Sequence, residues 1–247
     1  TFTDPQTGQV VIPTGGGLES QVVGPPLSDV EMAHASRNWN QVAEKLRTAR
    51  PLAIATGLPA DVAAGLADQP DYPTLFARAF GDSAITAARI AMAIATYERT
   101  LIANDTPWDR FNAGQTTALT PQQQQGLQAF QASNCAVCHT PPMFSNQSFR
   151  NIGLRPPGED LGRQIVTGNA ADRGRFKVPS LRNVGLRQSF MHNGVFTTIP
   201  AVIGFYARAP GAPPQFQDNI DPVMATVNVP PQAAQVIDVF IRTGLTD

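Results

Sequence analysis

The spacing of apolar and polar positions predicts a chain built mainly of α-helices. Between positions 84 and 102, large apolar residues recur at intervals of four, three and four, the spacing of one helix face: Ile90, Ile94, Tyr97 and Leu101. Weaker patterns predict further helices over 28–48, 72–80, 198–207 and 230–244. No stretch alternates between apolar and polar residues for long enough to predict a strand of useful length.

Two of the predicted helices have recognisable beginnings. Thr120 and Gln123 are spaced as a capping box with proline at the first helical position, so a helix is predicted to start there and to lead towards the cysteines. Ser28 and Glu31 have the same capping-box spacing at the start of the first predicted helix. On this pattern alone, Glu31 would do no more than cap that helix.

The composition adds long loops to this helical pattern. Only 15% of the residues are charged, whereas Gly and Pro number 20 and 22. The stretches 1–26 and 140–197 are predicted to be loops, the second folded around a prosthetic group. The net charge of −1 argues against nucleic acid or an anionic membrane surface as the main partner. No apolar run reaches about 18 residues, so no membrane span is predicted.

The only two cysteines, Cys135 and Cys138, are separated by two residues and followed directly by His139. This spacing is the attachment motif of a c-type haem, in which both thiols bond to the porphyrin and the histidine binds the iron. A structural zinc site would need two further ligands, and the remaining histidines, His34 and His192, lie far away in the sequence. A thioredoxin-like redox pair would open a helix in a βαβ unit, which the pattern does not predict. Covalent haem c is therefore the expected cofactor.

The position of the motif divides the chain. The region 115–247 is predicted to be a cytochrome c-type haem domain, and 1–114 a helical segment that carries no attachment motif. Haem is attached covalently outside the cytoplasm, so a periplasmic, exported protein is expected.

Several blocks outside the motif point to a family. These are Phe-Lys-Val-Pro-Ser-Leu-Arg-Asn-Val at 176–184, Phe-Met-His-Asn-Gly at 190–194, Ala-Thr-Tyr-Glu-Arg-Thr-Leu at 95–101 and Trp-Asp-Arg-Phe at 108–111. Together, and in their spacing around the cysteines, they resemble the bacterial di-haem cytochrome c peroxidase and MauG family. The resemblance runs from about Leu18 to the end of the chain. It implies a mainly α fold, with a cytochrome c-like domain preceded by a helical segment that completes a second, N-terminal haem domain.

The resemblance also implies a second haem that this sequence does not attach. Members of the family have a peroxidatic haem in the N-terminal domain, and Gln21, Pro25 and Glu31 match residues that line its distal side. In that role the carboxylate of Glu31 moves a proton between the two oxygens of peroxide. The expected partners are therefore an N-terminal haem-bearing segment or subunit, hydrogen peroxide, and a redox partner protein or other electron donor.

The sixth ligand of the C-terminal haem distinguishes the branches of the family. Peroxidases use Met, whereas the MauG-like branch has Tyr eight residues after a Thr, and here Tyr206 follows Thr198 by eight residues. Tyrosinate stabilises ferric iron, so Tyr206 would indicate MauG-like chemistry with high-valent haem. A core tyrosine with a hydrogen-bonded hydroxyl is the alternative, and Met191 and Met224 are the rival ligands.

Further matches lie around the predicted haem. Lys177 and Arg182 are candidates for offsetting haem propionates, and His192 matches a histidine near the haem edge with either a structural or an electron-entry role. Residues that flank a calcium site in relatives correspond to Arg187 and Ser189, which leaves calcium open.

The predicted function is that of a haem peroxidase-like enzyme. It would use hydrogen peroxide or high-valent haem to oxidise a donor or substrate, with electrons passing through the haem bound at His139. The alternative is a mono-haem electron-transfer cytochrome without peroxidase activity.

Overall fold

The computed structural model describes residues 1–156 and 158–247 and is mainly helical, as predicted. It divides into two compact units, Thr1–Ile102 and Ala103–Asp247. The boundary predicted from the sequence lies after Gly114, but Trp108 packs into the core of the second unit. Within the described residues, no helix is both long enough and apolar enough to cross a bilayer.

The first unit contains five helices and a short antiparallel strand pair. β1 (Phe2–Thr3) pairs with β2 (Val10–Ile12), and the helices are α1 (Gly17–Val22), α2 (Trp39–Thr48), α3 (Ala60–Gly65), α4 (Tyr72–Phe80) and α5 (Ala87–Glu98). Thr86 caps α5 by accepting a hydrogen bond from the Arg89 N–H. The small residues Ala87, Ala91 and Ala95 are buried on one face of α5, and because they lack bulk, α1 packs closely against α5.

Two local predictions for this unit are wrong. The helix expected over 28–48 begins only at Trp39, where Asn38 and Gln41 form the capping box. Ser28 instead ends a 3₁₀ turn at Pro25–Leu27, and its carbonyl accepts the N–H groups of Glu31 and Ala33 in a further turn. Glu31 therefore caps no helix. The first 26 residues, expected to be loop, also contain the helix α1.

In the second unit, the described residues form five helices, α6 (Pro107–Asn112), α7 (Pro121–Ala132), α8 (Gln164–Thr167), α9 (Ile199–Tyr206) and α10 (Pro231–Val239). A π-helical turn, Phe240–Gly244, continues α10 to the glycine predicted to end it. The capping box of Thr120 and Gln123 is confirmed. Where α7 crosses α10, a Cβ at Gly126 would overlap the backbone of Val236, so only glycine permits this approach.

Between α7 and α9 the described part of the chain is mostly irregular, as predicted, although it contains the short helix α8. Within this part, β3 (Phe149–Arg150) pairs antiparallel with β4 (Phe176–Lys177), with Phe149 opposite Lys177. This short ladder holds two distant parts of the loop region together. It brings the segment after the cysteines next to the segment that begins at Phe176.

Candidate haem site

The attachment motif lies directly after α7. The helix ends at Ala132, Asn134 adopts a left-handed conformation with φ of 60°, and Cys135–Val137 then form a 3₁₀ turn. The His139 N–H donates to the Cys135 carbonyl at 2.9 Å, which closes the motif into a compact turn. Both cysteines are free and half-buried, and burial raises the pKa of the Cys135 thiol to about 11.

The imidazole of His139 is arranged to bind iron through one nitrogen. Its Nδ1 lies 3.1 Å from the Phe144 carbonyl oxygen, and with the proton on Nδ1 the lone pair is on Nε2. Burial lowers the pKa of His139, which favours this neutral form. The ring of Phe144 is fully buried and makes edge contacts with Trp108, Phe130 and Phe240. The aromatic core thus fixes the carbonyl that orients the histidine.

Tyr206 lies close to both thiols. It is the last residue of α9, which begins after the N-cap Thr198. It packs against two apolar clusters of this unit, one that contains Phe130 and Phe240 and one that contains Phe205. Burial is the main cause that holds the pKa of Tyr206 far above its ordinary value, and the nearby charges of Cys135 and Cys138 add to it. Within the described residues its hydroxyl makes no hydrogen bond, unlike a tyrosine satisfied in a core.

These groups fit a covalent haem better than the alternatives. The two thiols would attach a c-type haem, and the neutral imidazole and the phenol, which has no hydrogen-bond partner among the described residues, would be two ligands for its iron. Among the residues that the structure describes, no three His, Cys, Asp or Glu side chains are grouped to hold a metal ion, so a protein-only zinc site has no ligand set.

The other candidates around this site lie on the loops. Met191, the alternative ligand, is half-buried against the cluster that contains Phe205 and has a φ of 70°. The exposed imidazole of His192 stacks on the Phe176 ring at 3.6 Å. Lys177 follows Phe176 in β4 and is exposed. The structure therefore places His192 against Phe176 of β4, the residue that precedes Lys177.

Arg182 has its guanidinium fully engaged with protein groups. It donates to both oxygens of Asp109 at 2.7 Å, to the Ala103 carbonyl at 2.7 Å and to the Pro142 carbonyl at 2.8 Å. These hydrogen bonds lower the pKa of Asp109 to about 2, although burial opposes them. The guanidinium also lies over the Trp108 ring. Arg182 thereby ties α6 to the loop that follows the attachment motif.

In the first unit, one turn brings two of the three predicted pocket residues together. The Pro25 carbonyl accepts the N–H groups of Ser28 and Met32, so Glu31 lies in the turn that starts at Pro25. Glu31 is exposed, between Val30 (87% exposed) and Met32 (75% exposed). The carboxylate therefore stands on an open face beside apolar side chains.

Gln21, the third pocket candidate, is an exposed residue of α1. Two residues earlier on the same helix, Glu19 is buried and accepts two hydrogen bonds from Arg99, at 2.7 and 3.0 Å. These bonds are the main cause that lowers the pKa of Glu19. The ion pair holds α1, and with it Gln21, to the end of α5. Sequence reasoning missed this pair because its partners are 80 residues apart.

Comparisons with known proteins agree with this geometry. Residues 6–117 match the profile of a family described as di-haem cytochrome c peroxidase. The cytochrome c peroxidase of Escherichia coli is 32% identical over 215 residues, which cover 84% of this chain and 41% of that protein. The methylamine utilization protein MauG of Methylophilus methylotrophus is 36% identical over 140 residues, 55% of this chain and 41% of that protein. The chain belongs to the di-haem cytochrome c peroxidase and MauG family.

One solved structure has the same fold as this chain over most of the chain's length. It is a MauG-like protein associated with microbial copper homeostasis, with a TM-score of 0.70 and 25% identity over 93% of this chain and 69% of that one. The chain spans about half the length of the curated relatives it matches. Haem is the cofactor of a di-haem family, and this sequence contains two cysteines in the spacing of one attachment motif.

Proposed function

We propose that the chain is part of a periplasmic c-type haem oxidoreductase that uses hydrogen peroxide to oxidise an electron donor or a substrate. Haem c is attached at Cys135 and Cys138, His139 binds its iron, and electrons pass through this haem. When bound, such a haem supplies one-electron redox chemistry. The observation that carries the proposal is the grouping of the two thiols, the neutral imidazole of His139 and the unpartnered phenol of Tyr206.

Tyr206 is the proposed sixth ligand. Its position at the end of α9, near both thiols and without a hydrogen bond among the described residues, supports a ligand rather than a packed core tyrosine. As a tyrosinate it is a hard anionic donor that favours ferric iron, which suits a MauG-like protein. Met191, packed in the apolar cluster beside Phe205, is the alternative ligand.

Gln21, Pro25 and Glu31 are proposed to face a peroxidatic haem that this sequence does not attach. Pro25 holds the turn, and Glu31 presents an exposed carboxylate on it. Such a carboxylate takes a proton from one oxygen of peroxide and returns it to the other. Because Glu31 caps no helix, the structure offers no local task for its side chain that competes with this role.

The haem that these residues face is proposed to be carried by an N-terminal segment or a separate subunit. Exposed apolar side chains of this unit support a missing partner, since exposed apolar surface marks interaction sites. On the turn, Val30 and Met32 are 87% and 75% exposed, and on α5, Ile94 and Tyr97 are 40% and 65% exposed. The remaining partners are hydrogen peroxide and a redox protein or small electron donor. Export to the periplasm is proposed because haem is attached covalently there.

A haem count tests the proposal. In the protein purified from its native source, intact mass and a pyridine haemochrome assay are expected to give two covalent haems per functional assembly, one on this chain. Acid–acetone extraction is expected to leave the haem of this chain in place. A native assembly with one haem per chain and no companion would instead establish a mono-haem electron-transfer cytochrome.

A further inference from the structure

A continuous chain of polar side chains starts at the attachment motif. The side-chain amide of Asn146 donates to the Val137 carbonyl at 3.0 Å, and its backbone N–H donates to the Cys138 carbonyl at 2.8 Å. Asn146 Oδ1 in turn accepts the hydroxyl of Ser148 at 2.6 Å. Arg150 Nε then donates to the oxygen of the same hydroxyl at 3.1 Å. Each link is a side-chain contact, so the position of Arg150 is coupled to the backbone of the motif.

The chain ends in an ion pair with one buried partner. Arg150 Nη1 lies 2.9 Å from Asp221 Oδ2, and the aspartate side chain is 5% exposed whereas the arginine side chain is 30% exposed. The other carboxylate oxygen of Asp221 accepts the Val223 N–H and caps the 3₁₀ turn Pro222–Ala225. The loop that contains Asp221 is held as well, because Asn151 donates to the carbonyls of residues 218 and 219. Both charges are thus fixed in place.

The two charges of this pair are tied to one of the haem-attaching cysteines. In the hydrogen-bonded chain, only Asn146 and Ser148 separate the Cys138 carbonyl from the Arg150 guanidinium, which pairs with Asp221. A haem attached at Cys138 would therefore be close to this ion pair. Reduction adds one electron to the iron, so a nearby cation favours the reduced haem and a nearby anion favours the oxidised haem.

We propose that Asn146, Ser148, Arg150 and Asp221 form a positioning network that sets the reduction potential of the haem attached at Cys138. Arg150 raises the potential, Asp221 lowers it, and Asn146 with Ser148 fixes Arg150 relative to the motif. The proposal rests on the haem site of the proposed function but not on peroxidase activity. None of the four residues is a proposed iron ligand.

Potentiometric titration of the haem-loaded full chain tests the network by the direction in which each variant shifts the midpoint potential. Arg150→Gln leaves Asp221 unbalanced and is expected to lower the midpoint potential. Asp221→Asn keeps a side chain able to cap the turn and is expected to raise it. The double variant removes both charges and is expected to return close to the wild-type value. A merely structural role would not give shifts of opposite sign.

The matched control is Arg242→Gln. Arg242 pairs with Asp238 at 2.7 Å, and that aspartate side chain is likewise largely buried at 10% exposure. The control removes a comparable ion pair from the same unit and is expected to leave the potential unchanged. Shifts of the same sign in both single variants, or no shift in either, would overturn the proposal. If Arg150→Gln incorporates no haem, Asp221→Asn decides alone, since only a raised potential supports the network.

The outcome is separable from that of the proposed function. A wild-type chain without covalent haem would end the haem assignment itself. The expected pattern of potentials in a chain that shows no peroxide turnover with its partner would remove the peroxidase activity and leave the network intact.

Discussion

At the scale of single residues, the site depends on which atom of each side chain is left free. The carbonyl of Phe144 accepts a hydrogen bond from Nδ1 of His139, so Nε2 is the nitrogen that would bind a metal. The surroundings of Tyr206 oppose its ionisation, because burial raises the pKa of the phenol. A ferric ion would have to supply the favourable interaction that the protein withholds. Tyr206 is thus expected to be anionic only when it is bound to iron.

Tyr206→Phe tests this ligand. In the haem-loaded chain, the variant is expected to change the absorption and EPR spectra and to raise the reduction potential, because loss of an anionic donor disfavours ferric iron. Tyr72→Phe, a half-buried tyrosine in α4, is the control and should leave both spectra unchanged. Spectra identical to those of the wild type in the Tyr206 variant would show that Tyr206 is not a ligand.

Sequence reasoning reached the residues whose chemistry depends on local spacing. The distance between Cys135 and Cys138 in the chain is itself the signal for haem attachment. For Arg182, by contrast, the sequence predicts only a role as a partner of haem propionates. Its hydrogen bonds to Asp109 span 73 residues, and no local pattern indicates a contact of that kind. The roles of the candidate site residues stay predictions.

At the scale of elements, helix existence was easier to predict than helix ends or faces. The periodicity in 84–102 correctly indicated a helix, although α5 covers only Ala87–Glu98. Its large apolar residues marked the covered face only in part. Ile90 is buried, but Tyr97 is 65% exposed, whereas the small Ala91 is fully buried. The close approach of α1 selects small side chains there, and a pattern of large apolar residues alone does not reveal this.

The same limit explains the misplaced start of α2. Ser28 and Glu31 have capping-box spacing, but so do Asn38 and Gln41, and only the second pair forms the box. The first pair lies instead in the turn held by the carbonyls of Pro25 and Ser28. The choice between the two sites depends on the packing of Trp39, which is buried in the core of its unit.

The ion pair that joins α6 to the loop after the motif predicts a loss of stability in acid. Asp109 has a folded-state pKa of about 2, below its ordinary value of 3.8, so its contribution is complete above about pH 4 and lost as pH falls towards 2. The expected loss is on the order of 2 kcal/mol in the free energy of unfolding. Urea denaturation at pH values across this window measures it.

Asp109→Asn should remove this part of the pH dependence and lower stability at neutral pH. The control is Asp105→Asn, since Asp105 is an exposed aspartate whose contact with Arg110 is 3.6 Å. It should change neither quantity measurably. An Asp109 variant with the wild-type acid profile would show that the pair with Arg182 does not stabilise the fold.

At the scale of the whole molecule, we propose that the chain combines one attachment site with pocket residues of another haem. The second unit contains both cysteines and His139, and the first contains Gln21 and Glu31 on exposed surface. The match covers 41% and 52% of two relatives. A peroxidatic haem carried elsewhere would account for an exposed carboxylate on a turn that has no structural use for it.

Glu31→Gln is the variant that tests this account. In the native assembly with its second haem, loss of the carboxylate is expected to slow peroxide turnover by about 10²–10⁴-fold, the usual contribution of general acid/base catalysis. The His139 haem spectrum should stay unchanged. Stability should change little, because Glu31 caps no helix and is exposed.

The control is Glu44→Gln on α2, where the Glu44 side chain is 70% exposed. This variant should turn over peroxide at the wild-type rate. Equal rates in the two variants would contradict the distal role of Glu31. If peroxide turnover were slowed to a similar degree in both variants, the cause would be a general effect of surface charge on donor binding. Glu44 lies on a helix with no proposed contact to peroxide.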